Sequence, residues 1–209
     1  MPSRVHVVDD DASFRTALER RLKTAGYEVA TYPSAQQLLD DLPDGSSPGC
    51  ILLDVRIPGL SGPGLQARLI ELGSTLPIVF LTGHADTQTT VQTIKAGAQD
   101  FLTKPISSDE LFAAIERAIA FQQARRGQRD EFDRLRSLVE QLTPRERQVF
   151  DLVVQGKMNK QIATQLGTTV RTIKAHRHRV MEKMTVQSLA ELVSVAERLK
   201  VLHAPETVK

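Results

Sequence analysis

Ile51-Leu52-Leu53-Asp54 decides the fold of this chain. An unbroken apolar run closed by a carboxylate fits a short strand, buried on both faces of a parallel sheet, with a polar group at its carboxyl end. The same design recurs outward in both directions. Asp9 and Asp10 close Val5-His6-Val7-Val8, Thr82 closes Ile78-Val79-Phe80-Leu81, and Lys104-Pro105 closes Phe101-Leu102-Thr103. In an open parallel sheet, ligands bind beyond the carboxyl ends of the strands. Three carboxylates, a hydroxyl and an amine are therefore expected at one sheet edge, a set suited to a hard divalent cation and a phosphoryl group.

Helical stripes fill the intervals: Phe14, Leu18 and Leu22; Ala35, Leu38, Leu39 and Leu42; Leu65, Leu69 and Leu72; Val91, Ile94 and Ala98. Gly26, the stretch from Pro43 to Gly49, Pro58-Gly59 and Gly97 punctuate them. Ser107 and Glu110 stand at capping-box spacing before Leu111, Ile115 and Ile119, which predicts a fifth helix. Five strands alternating with five helices make a doubly wound α/β fold of the flavodoxin-like kind.

Charge separates the chain into halves. Residues 1–121 carry 10 Lys+Arg against 15 Asp+Glu, and residues 122–209 carry 17 against 10. An acidic half joined to a basic half predicts two domains with different partners, the second polyanionic. Cys50, the only cysteine, excludes an internal disulfide and is expected as a buried thiol. No apolar run approaches the roughly 20 residues that span a bilayer, so a soluble, cytoplasmic protein with no membrane partner is expected.

The acidic half resembles the receiver domain of bacterial two-component response regulators. The residues that carry the resemblance are Val7-Val8-Asp9-Asp10-Asp11, then Leu53 through Gly62, Leu81-Thr82-Gly83-His84, Lys95-Ala96-Gly97-Ala98 and Phe101-Leu102-Thr103-Lys104-Pro105. Magnesium prefers oxygen ligands and is usually held by one or two carboxylates together with water and phosphate oxygens. Asp10 and Asp54 are the expected direct ligands of Mg2+, with Asp9 holding a coordinated water; the resemblance adds the backbone carbonyl of Arg56. It also implies that Asp54 is the phosphoacceptor, attacking a phosphohistidine donor. Lys104 and Thr82 would stabilise the transferring group, and Gly83 leaves room for it. Thr82 and Phe101 match switch positions, although an aromatic on a strand is equally well a core residue. Asp11 reads as a cap of the first helix. A phosphatase using a strand-end Asp nucleophile is the competing enzyme reading, but Asp54-Val55-Arg56 lacks the second carboxylate that would serve as general acid. No turnover of an external substrate is therefore expected.

In the basic half, Phe132, Leu135, Val139 and Leu142 form a stripe that either continues the fifth helix or makes a separate linker helix, with Gly127 weakening its middle. Thr143, Pro144 and Glu146 form an N-terminal capping pattern, and Val149, Leu152 and Val153 face inward. Asn159 is expected to cap a second helix with Ile162, Ala163 and Leu166 buried, and Thr169 a third with Ile173, Val180 and Met184 inward. A fourth helix runs from Leu189 through Leu199. The residues Leu142 through Val149, Asn159 through Ala163, Thr172 through Arg177 and Glu182-Lys183-Met184 resemble the LuxR-type helix-turn-helix module, and both halves together resemble the FixJ/NarL class of response regulators. Such a module places its third helix in the major groove.

Lys157, Lys160, Arg171, Lys174, Arg177, Arg179 and Lys183 face a single acid, Glu182, between residues 157 and 183. By position, Lys174, Ala175 and His178 are expected at base edges, and Lys160, Arg171, Thr172 and Arg177 at phosphates. His176 and His178 are two apart on a helix and point to different faces, which argues against a zinc site. The expected organisation is a receiver over 1–121, a helical linker over 122–141 and a DNA-binding domain over 142–209. The expected function is a transcriptional regulator that a histidine kinase phosphorylates. It would bind double-stranded promoter DNA as a homodimer and work with RNA polymerase; a phosphate sink without a DNA role is the alternative.

Overall fold

Arg4–Val8 (β1), Glu28–Tyr32 (β2), Gly49–Asp54 (β3), Ile78–Thr82 (β4) and Asp100–Thr103 (β5) pair in parallel in the order β2-β1-β3-β4-β5. This arrangement comes from a computed structural model that describes residues 3–43, 45, 47–83, 91 and 93–199. His84, part of the turn stretch before Gly49 and the last ten residues of the expected DNA-binding domain lie outside the described residues. β2 carries no closing carboxylate, so the strand-end pattern does not mark it. In register, Val8 pairs with Leu53, Asp54 with Leu81 and Thr82 with Thr103, which aligns the polar strand ends along one edge.

Contacts divide the chain into two compact units, Met1–Arg126 and Gly127–Lys209. In the first, β3 is buried along its whole length, as a central parallel strand must be. Ala12–Thr24 (α1) and the first part of Ser108–Glu140 cover one sheet face, where Leu18, Leu22, Leu111 and Ile115 pack on Val5, Val7, Leu52 and Val79. Ala35–Asp40 (α2) and Gly62–Glu71 (α3) cover the other, where Leu38, Leu65 and Leu69 pack on Val8, Ile51, Leu53 and Phe80. Burying each such side chain stabilises the fold by about 1.5–3 kcal/mol. Cys50 is buried as expected, and burial pushes its thiol up to about 12. Gly62 allows α3 to approach the site strand: a Cβ there would stand 2.5 Å from the Asp54 carbonyl oxygen.

The expected stripes are corrected at their ends. Leu42 lies beyond the end of α2 and Leu72 beyond that of α3, and both are exposed. Residues 91 and 93–95 are helical, but Val91 and Ile94 are 45% and 51% exposed, while Thr93 is buried and its carbonyl accepts a hydrogen bond from Gln66 Nε2. Helical spacing identifies a face without saying which way it points.

Ser108–Glu140 (α4) is one continuous helix, so the stretch after residue 121 extends the fifth expected helix rather than starting another. Ser107 and Glu110 cap it reciprocally. Its later residues Leu135 and Val139, with Leu142, enter the core of the second unit, whereas Phe132 is exposed. Pro144–Val154 (α5), Asn159–Gln165 (α6), Val170–Lys183 (α7) and Leu189–Arg198 (α8) complete that unit. Val149, Ile162, Ile173, Val180, Met184 and Leu192 share its core. α5 carries the expected capping box, and Thr169 caps α7. Asn159 is not a cap: Met158 holds that position, and its N–H donates to the Gln161 side chain at 2.8 Å. No described helix is long and apolar enough to cross a membrane.

Candidate functional site

Asp9 follows β1, Asp54 ends β3, Thr82 ends β4 and Lys104 follows β5, so four strand ends deliver the expected groups to one edge. The edge lies at the ends of the adjacent strands β1 and β3, whose outgoing connections part toward β2 on one side and β4 on the other, the usual binding position in such sheets. Carboxylate oxygens of Asp9, Asp10 and Asp54 lie within 4.8 Å of one another. Asp9 is fully buried, Asp54 is nearly so, and Asp10 is exposed. Lys104 Nζ donates to Asp9 Oδ2 and to Asp54 Oδ2, each at 2.6 Å. The other carboxylate oxygens are held by backbone: Asp9 Oδ1 accepts from the Asp11 N–H at 2.9 Å, and Asp54 Oδ1 from the Arg56 N–H at 3.0 Å.

These contacts set the electrostatics. Burial raises the Asp9 carboxyl above the ordinary carboxylate range, against the opposing pull of Lys104 and the Asp11 N–H. Burial also works to lower the Lys104 ammonium, but hydrogen bonds and charge from Asp54 and Asp9 outweigh it and leave the group above its ordinary value. The Phe14 ring lies under Lys104 Nζ, 4.0 Å from it to the centroid, and adds a cation–π contact. Asp11 caps α1 by accepting from the N–H groups of Ser13 and Phe14.

The remaining expected groups sit around this cluster. Thr82 is buried, and its carbonyl accepts from the Lys104 N–H at 2.6 Å. A Cβ on Gly83 would meet nothing within 4 Å. Arg56 is exposed beside Asp54. Phe101 is half-buried, with its ring 6.4 Å from that of Phe80, and packs against one core cluster. Three hard oxygen donors close together fit a magnesium-type ion, which needs few carboxylates and keeps sites for water and phosphate.

The second unit presents a separate surface. Arg171, Lys174, Ala175 and His178 follow helical spacing along α7, and all are exposed, opposite Ile173 and Val180 in the core. Lys160 on α6 is exposed, whereas Thr172 and Arg177 are half-buried. Gly167, at φ +61°, turns the chain between α6 and α7. His176 is half-buried and His178 exposed. Two basic residues do not stand free as their charge alone suggests. Lys183 Nζ donates to Glu146 Oε2 at 2.7 Å, and Arg177 Nη1 donates to Asn159 Oδ1 at 2.8 Å. Linear sequence carries no signal for either pair, because their members lie on different helices.

Two family models match the chain: the response regulator receiver domain over residues 5–116 and the luxR family of bacterial regulatory proteins over residues 140–196. The tetrathionate response regulatory protein TtrR of Salmonella typhimurium is 42% identical over 203 residues, covering 97% of this chain and 95% of that protein. The transcriptional regulatory protein FixJ of Bradyrhizobium diazoefficiens is 42% identical over 201 residues, covering 95% and 97% respectively. Among solved structures, the response regulator StyR matches with a TM-score of 0.85 and 43% identity over 95% of this chain and all 100% of that one. With a receiver fold, an acidic strand-end cluster and a LuxR-type helical unit in the expected order, this chain belongs to the two-component response regulators and is a phosphorylation-controlled, DNA-binding regulator of transcription.

Proposed function

We propose that Asp54 is the phosphoacceptor and that its partner is a histidine kinase. An Asp54 carboxylate oxygen attacks phosphorus, the P–N bond of the phosphohistidine breaks, and the imidazole nitrogen leaves with the electron pair and then takes a proton. The observation that carries this reading is the Lys104 ammonium bridging the buried Asp9 and Asp54 carboxylates at 2.6 Å each. That ammonium is placed to follow negative charge from the Asp54 oxygen onto the phosphoryl oxygens. Thr82 offers a hydroxyl to one of those oxygens and, with Phe101, serves as the switch. Asp9, Asp10, Asp54 and the Arg56 carbonyl would hold Mg2+, which when bound supplies positive charge to offset that of the transferring group. Chemistry is confined to this self-modification and its reversal.

Residues 1–121 act as the receiver, 122–141 as a helical linker and 142–209 as the DNA-binding domain of a cytoplasmic regulator. Lys174, Ala175 and His178 meet base edges, and Lys160, Arg171, Thr172 and Arg177 meet phosphates. The exposed outer face of α7 supports this assignment for Arg171, Lys174, Ala175 and His178. Receiver pairing through Val91 and Ile94 makes the active form a homodimer that positions RNA polymerase.

The test is phosphoryl transfer from a phosphorylated histidine domain in Mg2+, followed by intact mass and by hydroxylamine lability of the label. One phosphoryl group is expected on the wild type and none on Asp54→Asn; equal labelling of both removes Asp54 from the role. On DNA, Lys174→Ala should lose sequence preference, whereas Lys160→Ala should weaken all duplexes alike.

A further inference from the structure

We infer that Asn159 is a positioning residue for DNA contact, holding the Arg177 guanidinium where it meets a backbone phosphate. This rests on the reading of α7 as the recognition helix. Asn is among the strongest N-cap residues, yet at the start of α6 the cap is Met158, served by Gln161. The Asn159 side chain is instead used 18 residues away, where its Oδ1 accepts from Arg177 Nη1 at 2.8 Å. The bond joins the first residue of α6 to the middle of α7, the two helices of the helix-turn-helix.

The choice of acceptor matters. Glu146 is a carboxylate, so its bond to Lys183 neutralises that cation inside the unit. Asn159 is neutral, so it fixes the orientation of Arg177 and leaves its charge in place. No carboxylate pairs with Arg177 among the described residues, and the side chain is half-buried. A partly desolvated guanidinium without a counter-charge is unfavourable, and a phosphate supplies that charge through the nitrogens Asn159 does not use. Pre-ordering a long side chain removes part of the entropy cost of binding.

The test is a double-mutant cycle in the full-length protein against a fluorescent mixed-sequence duplex of about 30 base pairs at low salt, where phosphate contacts supply nearly all the affinity. Asn159→Ala should weaken binding about three- to tenfold, the loss expected when one long side chain must be ordered on binding. Arg177→Ala should weaken it at least as much and lower the salt slope by about 0.9. In the Arg177→Ala background, Asn159→Ala should add nothing. Additive losses would mean that Asn159 meets DNA by itself and would overturn the positioning role, as would unchanged binding by Asn159→Ala. If Arg177→Ala binds as well as wild type, the phosphate assignment of Arg177 fails, which is a separate result. Asn159→Ser, too short to reach Arg177, repeats the cycle if the alanine variant does not fold.

Discussion

At the residue scale, the decisive fact is that one ammonium serves two buried carboxylates. Removing one member of a buried ion pair leaves an uncompensated charge and costs about 3–5 kcal/mol. Lys104→Ala should therefore destabilise the first unit by about 3 kcal/mol in chelator, and Mg2+ should restore much of the loss because the cation replaces the missing charge. Denaturant titrations with and without Mg2+ measure both effects; an equal loss in the two conditions would place the cation elsewhere. His6 supplies a second residue-scale prediction. The Tyr32 hydroxyl donates to Asp41 Oδ2 at 3.1 Å, which leaves its oxygen to accept from His6 Nδ1 at 3.2 Å. Burial, helped by the charge of Arg4 and opposed by that of Asp41, lowers its pKa from 6.5 to about 4. The unfolded chain thus binds an extra proton between those values, and stability present above pH 6.5 is lost as pH falls toward 4. The loss amounts to about 3 kcal/mol and should be absent from His6→Leu. Asp9, whose raised pKa has the opposite sign, is common to both proteins and cancels in the difference.

At the element scale, capping determines how the helices of the second unit begin. Thr143 Oγ1 accepts from the Glu146 N–H while Glu146 Oε2 accepts from the Thr143 N–H, and the same carboxylate takes Lys183 from α7. One side chain therefore serves both the start of α5 and the placement of α7. Thr143→Ala should cost about 1 kcal/mol, the usual loss for a cap. The Lys183 hydrogen bond, followed by that to the Thr143 N–H, lowers the Glu146 pKa from 4.5 to about 2. A depressed acid stabilises the fold above its unfolded pKa, so this contribution is lost as pH falls from 4.5 toward 2. Helical circular dichroism of wild type and Glu146→Gln across that range checks the sign: the two curves should converge on acidification. α4 shows the opposite limit of local reading. Its stripe through Leu135 and Val139 packs in the second unit as spacing predicts, yet Gly127 does not interrupt the helix. A single glycine costs only about 1 kcal/mol in a helix, which the packing of both ends outweighs.

At the scale of the whole molecule, the proposed switch can raise DNA affinity only by the difference in dimerisation or interdomain docking energy between its two states. A dimer brings two recognition helices to neighbouring half-sites and increases affinity by effective concentration. Phosphorylated wild type should therefore sediment as a dimer and bind promoter DNA more tightly than Asp54→Asn at equal concentration, and Ile94→Glu should lower the dimer fraction while Asp54 still takes the label. Equal binding by the two proteins would remove this mechanism. The alternation of strand and helix, the polar ends of β1, β3, β4 and β5, the caps at Ser107, Thr143 and Thr169 and the charge division were legible in the sequence, because each rests on a local pattern: a period, a spacing or a composition. The outward turn of Val91 and Ile94, the His6–Tyr32–Asp41 chain and the diversion of Asn159 from cap to clamp were decided only in three dimensions. Each depends on which distant element arrives alongside, and neither period nor propensity encodes the neighbour that long-range packing supplies.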